Sequence, residues 1–124
     1  MMSEGSKSVP SYCEVELDIF SGMPNPTWIL TNAEAGSFMK KLAELPRGPS
    51  RELSNHLGYR GFIVRCSEEA NAQLIRVQNG TVQMPNEGNP YARDTDRGLE
   101  RWLLDTGKRH LKDELWEMLK REVQ

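Results

Sequence analysis

Residues Cys13, Val15, Leu17 and Ile19 alternate with Glu14, Glu16 and Asp18, the period of a strand with one face in a core and the other in water. A strand covered on both faces would read as a continuous apolar run, so the alternation argues for an antiparallel or edge-facing strand. After Phe20 the chain enters Ser21-Gly22-Met23-Pro24-Asn25-Pro26. One residue there is free to take positive φ, two prolines have φ fixed, and Met23 and Asn25 are each pushed toward extended backbone by the proline that follows. The loop is therefore stiff and largely predetermined. Trp28, Ile29 and Leu30 resume an apolar run, and a buried Trp28 needs a partner for its indole N–H. Turn chemistry alone accounts for a rigid connection between two strands with Trp28 capping the core. A stiff loop presenting Ser21, Asn25 and Thr27 beside an aromatic wall also suits a binding surface, because it loses little entropy on engaging a ligand.

The remainder of the chain reads as bracing for this stretch. Thr31-Asn32-Ala33-Glu34 matches a capping box, Ala35, Phe38, Met39, Leu42 and Leu45 recur at helical spacing, and Pro46 stops the helix. A polar connection from Arg47 to Gly58 contains His56, read as a surface or hydrogen-bonded histidine because no Asp or Ser partner is identifiable. Tyr59 to Cys66 is the next strand, with Gly61 permitting a bulge or a close backbone approach. Asn79-Gly80 is the clearest hairpin signal. Pairing about it sets Val77 opposite Val82 and Ile75 opposite Met84, so both arms are apolar on one face. Residues 85–91 read as a second Pro/Gly-rich loop. Asp94, Thr95 and Asp96 offer N-cap oxygens to a helix through Leu99, Trp102 and Leu103 that ends at Gly107. A final helix from about Lys108 carries Leu111, Leu115, Met118 and Leu119 on one stripe, with Trp116 at its edge and charges on the opposite face. That stripe could serve a homo-oligomer through the C-terminal helix.

The expectation is an α+β fold over residues 13–124, one domain, with residues 1–12 a disordered lead-in. Its elements run strand, strand, helix, strand, hairpin, helix, helix, forming a mostly antiparallel sheet with the helices packed on one face. A chain of 124 residues can bury a single core without metals or disulfides and is too short for two domains. No apolar run approaches the ~20 residues that span a bilayer. The N-terminal stretch lacks the apolar core of a signal peptide, so a cytoplasmic protein with no membrane partner is expected. A formal net charge of −2 from 16 basic and 18 acidic residues, interspersed, removes the electrostatic case for nucleic acid as a partner. Cys13 and Cys66 fall on the apolar phases of separate strands and read as buried and reduced. Were the strands neighbours, a disulfide would be geometrically possible, although a cytosolic setting disfavours it.

Phe20-Ser21-Gly22-Met23-Pro24-Asn25-Pro26-Thr27-Trp28, with Leu57-Gly58-Tyr59-Arg60-Gly61-Phe62 and Arg97-Gly98-Leu99-Glu100-Arg101-Trp102-Leu103-Leu104, resembles a family of small uncharacterised proteins with an F-S-G-R-P-N-P-x-W signature. The resemblance spans about residues 13 to 105 and implies one compact domain and no particular reaction. Met23 stands where the family has Arg, which removes a cation from the loop's centre.

The functional expectation is a small binding or interaction module that engages a small molecule or a protein through Ser21, Asn25, Thr27 and Trp28, with Arg60 and Arg65 beside them. The alternative is a cofactor-independent enzyme of isomerase or cyclase type. In it Asp18 or Glu16 is the base, Tyr59 the proton donor, and Arg60 or Arg65 the anchor for an anionic group. The commoner role for those arginines is an ion pair with the acidic strand face. Two His and two Cys far apart lack zinc spacing. Glu14, Glu16 and Asp18 could approach a cation, but such a row is more often plain solvation, so neither metal nor cofactor is expected.

Overall fold

A computed structural model of the chain describes residues 12–20, 22–51, 53, 58–68, 71–85 and 88–123. Its strands are β1 (Tyr12–Leu17), β2 (Thr27–Ile29), β3 (Phe62–Glu68), β4 (Asn71–Gln78), β5 (Thr81–Gln83) and β6 (Tyr91–Arg93). The helices are α1 (Asn32–Ala43), α2 (Gly98–Thr106) and α3 (Asp113–Glu122). All neighbours in the sheet order β2-β1-β3-β4-β5-β6 are antiparallel. The fold is the expected α+β class. Residues 1–11 of the expected lead-in, Ser21 and His56 lie outside the described residues, and Tyr12 already pairs with Ser67.

Alternation sets which side of the sheet each residue serves. Cys13, Val15 and Leu17 are buried, with Val64, Ile75, Val77 and Val82 beside them, under Phe38 of α1, Leu103 of α2 and Leu119 of α3. Glu14, Glu16, Arg65 and Leu74 alternate to the opposite side, which no helix of the described residues covers and where Arg65 and Leu74 stand exposed. The Asn79-Gly80 hairpin forms with Val77 paired to Val82, and both turn residues take positive φ, 50° and 83°, as that turn type demands. Thr31 caps α1 with both halves of the capping box, the Thr31 hydroxyl accepting from Glu34 N–H at 3.1 Å and the Glu34 carboxylate from Thr31 N–H at 2.9 Å.

Three differences from the expectation have local causes. A sixth strand, Tyr91–Arg93, occupies the end of the second Pro/Gly-rich stretch. It is too short to carry a period of its own and is held by pairing with β5 and by an Arg47–Ala92 bridge. The cysteines are not reduced: β1 and β3 are neighbours, Cys13 faces Cys66 in register with Cα atoms 4.1 Å apart, and the sulfurs are bonded. In α3 the buried residues are Trp116 and Leu119, continued by Val123, whereas Met118 is 42% exposed. Of the stripe offered for self-association, Leu119 is in the protein's own core with Leu111 and Leu115 packed against it, Met118 stays outside, and Trp116 takes its place.

Gly61 and Gly107 mark where the layers meet most closely. At Gly61 (φ 86°) a β-carbon would lie 2.1 Å from the Val77 carbonyl oxygen. Gly107 ends α2 in right-handed backbone (φ −92°), so its glycine is not required by φ. A β-carbon there would lie 2.4 Å from the Trp28 ring. No helix of the described residues is long and apolar enough to cross a membrane.

Candidate functional site

The chain leaves β1 on its open face and turns at Gly22 (φ 81°). The loop then folds back so that Asn25 lies against the two carboxylates that alternation puts on that face. The Asn25 side-chain oxygen accepts from Ile19 N–H at 3.1 Å and Phe20 N–H at 2.7 Å. Its amide nitrogen donates to Glu16 at 2.8 Å and to Asp18 at 3.4 Å. Backbone bonds at each end close the frame, from Leu17 N–H to the Pro26 carbonyl at 2.9 Å and from Arg60 N–H to the Asp18 carbonyl at 2.8 Å.

Two arginines complete the cluster. Arg60 donates through Nε (3.2 Å) and Nη2 (2.9 Å) to one Asp18 oxygen, and its Nη2 also reaches the Phe20 carbonyl at 3.0 Å. Arg65 donates to the other oxygen of Glu16 at 2.8 Å. Burial works against ionisation of Glu16, but the Asn25 hydrogen bond and the Arg65 guanidinium outweigh it and hold the carboxyl below its ordinary value. Two acids, two bases and one amide thus form a set in which both charges are matched and most donors used.

Five of the expected site residues therefore come together: Glu16, Asp18, Asn25, Arg60 and Arg65. Thr27 is exposed on β2 opposite Glu16. Trp28 points the other way, into the core, donating its indole N–H to the Thr106 hydroxyl at 2.9 Å, edge-on to Phe62 and parallel to His110. Tyr59 is also on the core side, so the sheet stands between its hydroxyl and the carboxylates of Glu16 and Asp18.

The Tyr59 hydroxyl leads to a group that period and spacing alone did not single out. It donates to Glu100, which is fully buried on α2. Arg97 donates to both Glu100 oxygens, at 3.1 and 2.9 Å, and Gly80 N–H donates at 3.2 Å. Arg97 reaches this position from left-handed backbone (φ 55°) and also ties Asn79 of the hairpin turn at 3.1 Å. Burial raises the Glu100 carboxyl, but Arg97 and Tyr59 overcome it and hold the group below its ordinary value; burial and the adjacent carboxylate push the Tyr59 hydroxyl up. Asp94 beside it caps α2 by accepting from the N–H groups of Leu99 (2.8 Å) and Glu100 (2.9 Å), and burial raises its carboxyl. The only signal in the sequence was Glu100 on the apolar phase of α2, one residue after Leu99.

Open depressions on the described surface include a groove of about 110 Å³ lined by Gly48, Arg51, Gly80 and Arg93. Another of about 270 Å³ is lined by Arg101, Leu104, Asp105 and Lys120. Neither includes Glu16, Asp18 or Tyr59. Among the described residues no three of His, Cys, Asp and Glu converge into a metal-binding group. No protein-family model matches this chain, and neither does any curated protein or solved structure.

Proposed function

We propose that the chain is a small binding module that engages a protein partner through the loop between β1 and β2, with Met23 and Pro24 as the contacting tip. The observation that carries this reading is the use made of Asn25. Its side chain holds two backbone amides and both carboxylates, while Met23 stands 59% exposed beyond it. A large apolar side chain held outward on a stiff frame costs a core nothing to lack and gives an interface a preorganised anchor. A convex tip suits a protein surface better than a small molecule, whose sites are concave. In the likeness of Phe20–Trp28 to the F-S-G-x-P-N-P-x-W proteins, Met23 is the position that differs, standing in place of Arg. The likeness supplies no activity.

The acid/base enzyme has less support. Glu16 and Asp18 are engaged by Arg65, Arg60 and Asn25, and Tyr59 lies across the sheet from them. A photo-crosslinking residue placed at position 23, and in parallel at the comparably exposed Met118, tests the proposal in the cells that make the protein. A discrete adduct from position 23 that disappears with Asn25→Ala, in a variant shown to remain folded, is the expected result. Identical adducts from both positions, or none from position 23, would overturn it.

A further inference from the structure

We propose that the open face of the sheet is a self-association surface on which a second copy of this chain sits, related by a two-fold axis running along the strands between β1 and β3. This goes beyond the loop reading and does not involve Met23 or Pro24. The first observation is where exposed apolar surface gathers. Five large apolar side chains stand well exposed among the described residues, and three of them, Tyr12 (46%), Ile29 (45%) and Leu74 (39%), lie on the open face. The remaining two are Met23 and Met118. The three share one face without forming a continuous patch, since Glu14 and Arg65 stand between Ile29 and Leu74, and it is their order across the strands that points to an occupant.

The second observation identifies the occupant. Strand register sets Ile29, Glu14, Arg65 and Leu74 side by side across β2, β1, β3 and β4. Read across the sheet, the row is apolar, acid, base, apolar. A two-fold axis along the strands reverses the row, so that Glu14 meets Arg65 of the second copy and Ile29 meets Leu74 of the second copy, twice over. That row is complementary to itself, the condition for an isologous pair. The charges are placed to use it. Among the described residues the Glu14 carboxylate enters no hydrogen bond or ion pair, while Arg65 gives one terminal nitrogen to Glu16 and keeps further donors from its fork of five. Sheets packed face to face stand about 10 Å apart, a gap that one Arg and one Glu side chain close between them.

Size decides what kind of pair this is. Four strands about 4.8 Å apart and about six residues long at ~3.3 Å each give a face of roughly 400 Å² per copy. The two copies together would bury roughly 800 Å², below the ~1,200 Å² of stable specific interfaces and in the range of weak, transient encounters, so the pair is a reversible dimer that forms only at high protein concentration.

Sedimentation velocity on the full chain over a concentration series provides the test. The wild type should move from monomer to dimer. Glu14→Lys and Arg65→Glu should each raise the dissociation constant about tenfold or more, since each sets like charges against one another. Mixing the two variants should restore association, because every cross-pair is then opposite in sign; this also shows that neither variant had simply misfolded. Leu74→Asp should weaken the dimer without any charge swap to rescue it. A wild type that stays monomeric throughout, a dimer indifferent to Glu14→Lys, or a mixture no better than its components would overturn the assignment and leave this face to another occupant.

Discussion

Asn25 does more for the fold than its place in a surface loop suggests. Its removal leaves the Ile19 and Phe20 amides without their acceptor and Glu16 without one of two donors. Asn25→Ala should therefore cost about 1–3 kcal/mol in denaturant unfolding. Asn25→Asp should cost at least as much, since it keeps the acceptor but brings a third carboxylate against Glu16 and Asp18. A loss below about 0.5 kcal/mol for both would show that the loop is held by its prolines alone. Stiffness of the loop was legible from Gly22, Pro24 and Pro26. The anchoring role of Asn25 was not, because it depends on carboxylates seven and nine residues away. Glu100 was hidden for a stronger reason, since its partners Tyr59 and Gly80 come from 41 and 20 residues away. Glu16 and Glu100 both titrate below their ordinary value of 4.5 in the folded protein. The unfolded chain takes up those protons first, so their contribution is complete above about pH 4.5 and is lost as pH falls through the folded values. Asp94, raised above 3.8, acts in the opposite sense: folded protein binds its proton more readily, which offsets part of that loss. Unfolding midpoints measured on either side of pH 4.5 should fall toward acid, and Glu100→Gln should flatten the dependence while lowering stability at neutral pH by about 1–3 kcal/mol.

The elements themselves were readable wherever one local rule decided them. Val77 and Val82 pair because Asn79-Gly80 leaves the hairpin one register, and α1 begins at Thr31 because Thr and Glu three apart satisfy its first amides. Short pieces were not readable. Three-residue β6 exists because β5 and Arg47 flank it, and Trp116 replaces Met118 in the core because α3 is rotated by its packing, which periodicity over ten residues leaves open. The glycines separate the two cases and make a sharp comparison. Gly61→Ala combines positive φ with a backbone clash, and Gly107→Ala drives a methyl into the Trp28 ring; each should cost about 1–3 kcal/mol or more. Gly98, helical with open space around it, should gain up to about 1 kcal/mol on replacement by Ala. Thermal unfolding of the three variants measures this directly, and a destabilising Gly98→Ala or a neutral Gly61→Ala would contradict the packing described.

For the whole molecule, the pairing of Cys13 with Cys66 was the largest departure from the sequence reading. Each strand showed a cysteine on its apolar phase, but only sheet order brings them face to face, and sheet order is a long-range property. The bridge spans 53 residues, and in the chain-entropy view a loop of that length contributes about 4 kcal/mol by restricting the unfolded ensemble. Reduction, or Cys13→Ser with Cys66→Ser, should lower the unfolding midpoint clearly while leaving a folded protein, because the apolar core around Leu17, Phe38, Leu103 and Leu119 does not depend on the sulfurs. An unchanged midpoint would mean the thiols are not joined in solution. The same bridge makes a ring of everything from Cys13 to Cys66, with β2 and α1 inside it. A protease that cuts once anywhere within that ring, for instance near Arg51, leaves a nicked protein whose two pieces stay attached by covalent linkage. They would migrate as one band on a gel without thiol and part only when mercaptan is added.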